Sequence, residues 1–303
     1  MKVTDHPFTN SDREYDLIMA FLSEITAYPD LDHSWDAGRM NWWRYNVHAE
    51  KGMEFFKANA HYWITNTDRV VGLFISEYGG DDFFVVVHPD FSALLPEALN
   101  WGVGVWGQGK PSFSTSVFTH DRGKIEALMA AGFREQGHES NVRTYDLRGY
   151  DFSYDLAVGC RLLTFQEVGD YGSRNRLVED AFGNPSYSEA RLRSLQASPG
   201  YRPELDLVIV NAQGESVAYC TGWIEEDCPR SSYIEPMGTK TDYRRKGLGT
   251  ALAKACFRRL SDMGVVRVSI ASAAEPAVSN YLYDSLDPVR TKRAYRYSLI
   301  LAA

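Results

Sequence analysis

The sequence predicts an α+β protein of two tandem domains, each a mixed, mostly antiparallel sheet flanked by helices. The chain has 303 residues, whereas a single hydrophobic core usually stops growing at about 250 to 300 residues. Its 44% hydrophobic and 24% charged residues are those of an ordinary globular protein, with enough apolar side chains for a core in each half. The order of strand and helix patterns in the first half recurs in the second half, which indicates an internal repeat.

The boundary between the two domains is predicted within residues 148–155. This segment separates two strand patterns, at 142–147 and 160–165. A division there gives domains of ordinary size, residues 1–150 and 151–303.

Alternating apolar and β-branched residues predict the strands, and apolar residues three and four apart predict the helices. In the first half the predicted elements are a helix at 15–25, a hairpin of 62–65 and 70–76, a strand at 83–87, a helix at 94–101, a strand at 113–118 and a helix at 124–131. In the second half they are a helix at 173–181, a hairpin of 205–210 and 217–223, a strand at 232–237, a helix at 249–263, a strand at 265–270 and a helix at 277–286.

Net charge and apolar patterning restrict the functional class. The formal net charge of −8 disfavours nucleic acid as a partner, because binding to phosphates needs a basic surface. The same charge favours a cationic substrate such as an amine. No apolar run reaches the roughly 20 residues that span a bilayer, and the first residues lack a signal-peptide pattern. A cytoplasmic protein without a membrane partner is therefore expected.

The cysteine spacing predicts no metal site. Cys160, Cys220, Cys228 and Cys256 form no Cys-x-x-Cys pair and have no histidine at metal-ligand spacing. We interpret them as reduced thiols. Cys220 is a candidate nucleophile, but its place in the apolar run 217–220 favours a core residue.

A basic glycine turn at residues 244–249, Arg-Arg-Lys-Gly-Leu-Gly, follows a predicted strand and opens a predicted helix. The first N–H groups of a helix have no partner within it, and glycine lets the backbone approach a phosphate closely. The turn is therefore a candidate pyrophosphate site, with a tight turn and close helix packing as the alternative. It is neither the three-glycine dinucleotide fingerprint nor a P-loop, which ends in Gly-Lys-Ser/Thr.

The turn resembles the signature of the GNAT superfamily of N-acetyltransferases, Arg/Gln-x-x-Gly-x-Gly/Ala, with Arg244, Gly247 and Gly249 at its defined positions. Residues 280–286, Asn-Tyr-Leu-Tyr-Asp-Ser-Leu, are similar to a second GNAT segment, Asn-x-Leu-Tyr. The resemblance covers residues 156–300. It departs from the family at 287–288, where Asp-Pro replaces the usual Gly-Phe.

This resemblance implies acetyl-CoA as co-substrate and no metal. It also implies that the strand before the turn diverges from its neighbour and offers backbone groups to the pantetheine arm. The implied cofactor-binding residues are Met237, Gly238, Thr239, Arg244, Arg245, Lys246, Gly247, Leu248, Gly249, Thr250 and Asn280.

Acetyl transfer to an amine needs an acceptor for the amine proton and a proton donor for the departing thiolate. The resemblance assigns the donor role to Tyr283, with a packing tyrosine as the alternative. The resemblance also suggests Glu235 as the base, since family members often carry a glutamate on the strand before the turn. Its apolar neighbours predict partial burial, which would raise its pKa toward the operating range; the alternative is an ion pair with an arginine of the turn. Glu225, Glu226 and Asp227 line the acceptor mouth or form an ordinary exposed turn.

The first half is predicted to be a degenerate copy. Residues 91–96, Phe-Ser-Ala-Leu-Leu-Pro, replace the arginine and both glycines, and Leu128 stands at the place of the tyrosine. His88 and His120 are candidates for a functional role, although an isolated histidine at a strand end is more often structural.

The sequence thus predicts transfer of an acetyl group from acetyl-CoA to a primary amine of a small molecule. Two alternatives remain: a non-catalytic CoA-binding sensor or scaffold, and transfer of a longer acyl group. The tandem arrangement is also similar in outline to the GNAT enzyme that makes mycothiol, although no motif specific to that enzyme is present.

Overall fold

The computed structural model describes residues 2–26, 28, 35–47, 51–183, 188–224, 231–275 and 278–300. Within these residues, the chain up to residue 146 forms strands β1 (Val3–Pro7), β2 (Ala60–Thr65), β3 (Val70–Ile75), β4 (Phe84–Val87), β5 (Ser112–Phe118) and β6 (Arg134–Asp146), and helices α1 (Asp12–Thr26), α2 (Ala37–Trp42), α3 (Met53–Asn59), α4 (Leu95–Trp101) and α5 (Arg122–Ala130). The remainder forms strands β7 (Arg161–Thr164), β8 (Asp206–Val210), β9 (Ser216–Ile224), β10 (Ser231–Thr239), β11 (Arg267–Ala273) and β12 (Arg290–Ile300), and helices α6 (Phe165–Val168), α7 (Tyr171–Phe182), α8 (Glu189–Gln196), α9 (Leu248–Asp262) and α10 (Val278–Asp284).

Both predicted hairpins are confirmed. β2 and β3 are antiparallel, with Ala60 opposite Ile75, and β8 and β9 are antiparallel, with Asp206 opposite Thr221. In the turn between β8 and β9, Gly214 has a φ of 81°, a left-handed conformation that glycine adopts without steric cost. Local turn chemistry and strand alternation therefore identified these elements from the sequence.

The chain divides into two compact units that differ from consecutive halves. The first unit contains Met1–Trp43, Glu50–Ser140 and Lys292–Ala303, and the second unit contains Arg44–Ala49 and Asn141–Thr291. Strand β6 begins in the first unit and ends in the second, so the predicted boundary at residue 150 lies inside the second unit. The reason for the difference is that a polar segment marks local exposure, whereas unit membership depends on which sheet a strand joins.

The first unit has a four-stranded sheet with the order β1-β2-β3-β4, and β5 pairs antiparallel with β12. Its core is aromatic. The ring centroids of Phe74 and Phe83 are 5.1 Å apart, and those of Phe74 and Trp106 are 5.3 Å apart. Phe113 packs in the same cluster, 6.0 Å from Phe83.

The second unit contains the strand order β6-β11-β10-β9-β8-β7, with its main core between this sheet and α9. Leu248, Leu252, Cys256 and Leu260 recur every four residues along α9 and are buried, which places one apolar face of the helix on the sheet. Cys220 is fully buried in this core, so its interpretation as a core residue is confirmed. Cys160, Cys220 and Cys256 are free thiols, and Cys228 lies outside the described residues.

A fragment that starts at the predicted boundary is expected not to fold. Residues 151–303 lack Tyr145 and Leu147, which are 0% and 2% exposed in the core of the second unit. Loss of two large core side chains removes about 4 to 10 kcal/mol, comparable with the total stability of a domain, about 5 to 15 kcal/mol. Thermal unfolding followed by circular dichroism should show a cooperative transition for residues 141–291 and none for 151–303. A cooperative transition of the shorter fragment would contradict this assignment.

No helix among the described residues is long and apolar enough to cross a membrane. The same residues contain no group of three or more His, Cys, Asp or Glu side chains placed to hold a metal ion.

Candidate functional site

Strand β10 follows β9 along most of its length but leaves β11 early. It pairs antiparallel with β9 as far as Thr239. Its parallel pairing with β11 in the described residues ends at Tyr233, which lies opposite Ser269. Beyond that point the two strands diverge, and we call the opening between residues 234–239 of β10 and 270–273 of β11 the fork. The structure thus has the strand divergence that the resemblance implied.

The turn after β10 leads from the fork into the N-terminus of α9. Thr241–Tyr243 form one turn of 3-10 helix, and Arg244 is extended. Arg245 and Gly247 then take left-handed conformations, with φ of 59° and 76°. Gly247 is the N-cap residue of α9 and supplies no capping side chain. The first N–H groups of this helix are therefore available to a ligand, at the positive end of the helix dipole.

The two glycines of the turn serve different purposes. A Cβ atom on Gly247 would lie in open space, whereas a Cβ atom on Gly249 would lie 2.7 Å from Cδ2 of Leu282. Position 247 favours glycine because its backbone is left-handed, and position 249 favours glycine because α9 and α10 approach each other closely there. The close packing that was the alternative explanation of the motif is thus present at Gly249, while Gly247 leaves the turn open to solvent.

Asn280 fixes the start of α10 against the end of β11. Its side chain is 8% exposed, and its Nδ2 donates to the carbonyl oxygens of Ala273 and Ala274, each at 3.0 Å. Its Oδ1 accepts from Oγ of Ser272 at 2.8 Å. Because both N–H groups of this amide are used within the protein, the predicted contact between Asn280 and the cofactor cannot be a hydrogen bond donated by the amide in this arrangement.

Tyr283 lies on α10 and is 7% exposed. Burial raises the pKa of Tyr283 to about 12, the thiol of Cys220 and the carboxylate of Glu235 act in the same direction, and the guanidinium of Arg143 opposes them. The phenol is therefore protonated at neutral pH. The interaction with Glu235 also means that the two predicted catalytic residues, which come from different elements, lie near each other.

Glu235 corrects one expectation. Its side chain is exposed, whereas the sequence predicted partial burial. The residue follows Ile234, which is buried in the core, so the alternation of side chains along β10 places Glu235 on the opposite face. Its carbonyl oxygen accepts a hydrogen bond from Nε1 of Trp223 at 2.7 Å, so the backbone is held while the carboxylate is solvated.

Residues 175–283 match the family model described as Acetyltransferase (GNAT) family. This part of the chain is a GNAT acetyltransferase domain. The match includes the fork, the glycine turn and α9, and it ends at Tyr283. The family consists of acyltransferases, and acetyl transfer is its general chemistry. No curated protein matches the sequence.

Solved structures share the fold over the whole chain. A tandem GNAT protein from the clavulanic acid biosynthesis pathway, without AcCoA, has a TM-score of 0.68 at 15% identity and covers 100% of this chain and 99% of its own. A GCN5-related N-acetyltransferase from Sphaerobacter thermophilus has a TM-score of 0.64 at 19% identity, with coverage of 98% and 95%. A GNAT-family acetyltransferase from Colwellia psychrerythraea has a TM-score of 0.60 at 9% identity, with coverage of 98% and 99%. The predicted tandem α+β architecture is thereby confirmed.

Arg244 of the GNAT signature contacts protein on both sides of the turn. Its Nε donates to the carbonyl oxygen of Thr239 and its Nη2 to that of Ala181, each at 3.3 Å. The backbone N–H of Thr241 also donates to Oδ1 of Asp180 at 2.5 Å. These bonds tie the turn of the GNAT domain to the ends of β10 and α7, and the predicted cofactor contact of Arg244 remains a prediction.

Two further cations of the turn, Arg245 and Lys246, are exposed. The ammonium of Lys246 lies 4.7 Å from the ring centroid of Tyr243. These charges favour an anion near the N-terminus of α9. The acidic residues predicted at the acceptor mouth, Glu225, Glu226 and Asp227, lie outside the described residues.

The first unit keeps a strand divergence but occupies it with its own lysine. Asp82, just before β4, bridges in parallel to Ser114 of β5, after which β4 pairs with β3 and no longer with β5 in the described residues. Lys124 on α5 is 8% exposed, and its Nζ donates to the carbonyl oxygen of Val85 at 2.7 Å. Val85 lies four residues before the 3-10 helix that follows β4, as Met237 lies four residues before the one that follows β10. A lysine therefore binds the backbone group that corresponds to the predicted pantetheine contact.

A buried histidine caps the helix that follows β4. Nδ1 of His88 accepts from the backbone N–H of Asp90 at 3.1 Å, and the His88 ring is fully buried. This N-terminus thus differs from that of α9, where the cap is a glycine. The described contacts give His88 a structural role, and the ring of His120 stacks on Phe118 at 5.8 Å.

Replacement of Lys124 by methionine is expected to stabilise the protein at neutral pH. Burial lowers the pKa of Lys124 to about 8, from an unfolded value of about 10.4. The unfolded state therefore binds more protons between pH 8 and 10.4, so the stability of the unaltered protein rises with pH in that window. Burial of the charged Lys124 ammonium lowers the stability of the unaltered protein by at most about 3 kcal/mol at pH 7. Loss of the hydrogen bond to Val85 offsets about 1 kcal/mol of the stability that Lys124→Met gains.

Urea unfolding at pH 7 and at pH 10 measures this effect. The advantage of Lys124→Met should be largest at pH 7 and should shrink at pH 10. Lys57→Met, which removes a partly exposed lysine from α3, is the matched control and should show no such pH dependence. A gain of Lys124→Met that is independent of pH would contradict the assignment.

Proposed function

We propose that the second unit is an acetyl-CoA-dependent N-acetyltransferase that acts on a primary amine of a small molecule. The observation that carries the proposal is that one unit joins an open glycine turn to a buried tyrosine. Gly247 opens α9 without a capping side chain, and Gly249 packs against α10, which carries Tyr283. The match to the GNAT family model supports the acetyl-transfer chemistry.

The open turn suits a pyrophosphate group. The N–H groups of residues 245–250 would hold it, because they lie at the positive end of α9 and the space beside Gly247 is empty of protein. The backbone of residues 237–239, along the fork, would hold the pantetheine arm. Bound acetyl-CoA supplies the acetyl group as an activated thioester.

Tyr283 serves as the proton donor to the departing sulfur. With a pKa of about 12, the phenol keeps its proton throughout the neutral range, so the donor form is always present. A hydrogen bond from a buried donor is stronger than one in water because the local dielectric is low. It stabilises the negative charge that develops on the sulfur.

Glu235 takes the proton of the acceptor amine, directly or through a water molecule. Its carboxylate is exposed and therefore attracts an ammonium group from solvent, as does the net charge of −8. The amine nitrogen forms its bond to the acyl carbon while the carbon–sulfur bond breaks. The proton lost by the nitrogen balances the one gained by the sulfur.

Calorimetric titration with acetyl-CoA, followed by a thiol-release assay with a panel of small amines, tests this function. Saturable binding together with amine-dependent release of free CoA is the expected result. Absence of acetyl-CoA binding by the unaltered protein would overturn the proposal.

Binding without release of CoA for any amine would favour the sensor alternative. The departure from the GNAT pattern at 287–288, where Asp-Pro stands, is the feature that motivates this alternative. Asp287 has a φ of 57°, the left-handed conformation for which glycine is usual. The turn after α10 therefore keeps the backbone conformation of a glycine, and the departure no longer argues against catalysis.

A further inference from the structure

Helix α10 is held by a buried polar network that comes from strand β6. Residues with odd numbers along the second half of β6 all face this helix. Nδ2 of Asn141 donates to Oδ1 of Asn280 at 3.2 Å. The hydroxyl of Tyr145 donates to the carbonyl oxygen of Tyr283 at 2.9 Å.

Arg143, between these two residues, makes the strongest contacts of the set. Its side chain is 3% exposed, and its Nε donates to Oδ1 of Asp284 at 2.6 Å. Its Nη1 donates to Oγ of Ser272 at 2.9 Å, and that hydroxyl donates in turn to Oδ1 of Asn280 at 2.8 Å. The buried guanidinium of Arg143 therefore contacts the C-terminal end of α10 directly, at Asp284. It contacts the N-terminal part of the same helix indirectly, through Ser272 and Asn280.

This connection brackets Tyr283, which lies between Asn280 and Asp284 on one turn of helix. Charge-assisted hydrogen bonds to a buried guanidinium are short and directional, so they fix the position and rotation of the helix. A displacement of about 1 Å at a reacting group can reduce a rate about 100-fold. A rigid attachment of α10 therefore also fixes the position of the Tyr283 phenol.

We propose that Arg143 is the positioning residue that fixes α10, and with it the phenol of Tyr283, beside the fork. This inference rests on the proposed function. Arg143 lies outside residues 175–283, which match the GNAT family model, so the family match does not assign it to the site. It also lies before the predicted domain boundary, so the sequence placed it in the other domain.

The charged and titratable groups that face Tyr283 come from several elements. They include Cys220 on β9, Glu235 on β10, and Arg143 and Tyr145 on β6. Arg143 lowers the pKa of Tyr283, whereas Cys220 and Glu235 raise it, so loss of the guanidinium makes the phenol a weaker acid as well as a less fixed one. Both effects reduce turnover and neither touches the glycine turn.

The test compares Arg143→Met and Arg143→Lys with the unaltered protein, in the absence and presence of Tyr283→Phe. Arg143→Met should lower kcat by about 10- to 100-fold and leave the Kd for acetyl-CoA unchanged. Arg143→Lys, which keeps the charge, should recover part of the loss. In the Tyr283→Phe background, Arg143→Met should cause no further loss, because the two residues act through one proton donor.

Arg193→Met is the matched control, since it also removes an arginine–carboxylate pair, with Glu189, but from the exposed surface of α8. It should leave kcat unchanged. If Arg143→Met does not fold, Asp284→Asn carries the test. Asp284 is 58% exposed, and the replacement removes the charge of this link while the amide oxygen can still accept a hydrogen bond from the buried guanidinium. It should lower kcat with an unchanged Kd for acetyl-CoA, and an unchanged kcat would count against the inference.

Two outcomes would overturn the inference. An unchanged kcat in the Arg143 variants would do so, and so would a loss of equal size in the Tyr283→Phe background, which indicates a general structural role. Failure of the proposed function is distinguishable, because in that case the unaltered protein itself neither binds acetyl-CoA nor releases CoA.

Discussion

Gly247→Glu is expected to abolish acetyl-CoA binding. Gly247 has a φ of 76° and nothing within 4 Å of the place of a Cβ atom, so the new side chain fits sterically and extends from the turn. Its carboxylate would then lie at the N-terminus of α9, where it competes with a pyrophosphate for the same N–H groups and repels it. A weakening of at least about 100-fold corresponds to about 2.8 kcal/mol.

Gly109→Glu is the matched control for this substitution. Gly109 has a φ of 77° and also has nothing within 4 Å, so both variants carry the same strain of about 1 kcal/mol from a side chain in the left-handed region. Calorimetric titration should give unchanged acetyl-CoA binding for Gly109→Glu and none for Gly247→Glu. Equal binding by the two variants would show that the turn is not the pyrophosphate site.

Tyr283→Phe is expected to lower kcat by about 100- to 10,000-fold, the usual contribution of a positioned acid or base. The substitution removes only the hydroxyl, so the Kd for acetyl-CoA should not change. Tyr281→Phe is the control, because Tyr281 lies on the same helix and is 75% exposed. Steady-state rates of CoA release with a saturating amine measure both variants.

The pH profile gives a second check on the same residue. Because the pKa of Tyr283 is raised to about 12, its ionisation should not lower kcat below about pH 11. An alkaline loss of kcat near pH 9 that disappears in Tyr283→Phe would contradict the assigned environment. Equal rates for Tyr283→Phe and the unaltered protein would remove the tyrosine from the mechanism.

The hairpins, α9 and the glycine turn could be predicted from the sequence because their signals are local. Strand alternation, turn residues and apolar residues four apart, such as Leu248 and Leu252, depend on neighbours within one or two turns of chain. Strand β1 and the first half of β6 were not predicted. β1 is mostly exposed and includes Pro7, and residues 134–140 are largely polar and exposed, so neither shows the alternation of a half-buried strand.

The burial of Glu235 was predicted wrongly for a related reason. Apolar neighbours in the sequence indicate that a strand is buried, but they do not indicate which face a residue takes. In β10 the side chain of Ile234 enters the core, so the side chain of the next residue, Glu235, lies on the opposite face.

What the sequence determined by itself was the identity of the fold and the place of the glycine turn, because arginine and glycine at fixed spacing in one segment, and asparagine and tyrosine in another, carry that information locally. Only the tertiary structure decided which strand completes the second unit and which side chains hold Tyr283. Arg143 and Asp284 are 141 residues apart in the sequence but 2.6 Å apart in space. Such a contact follows from the order in which strands assemble in a sheet, and no local pattern records it.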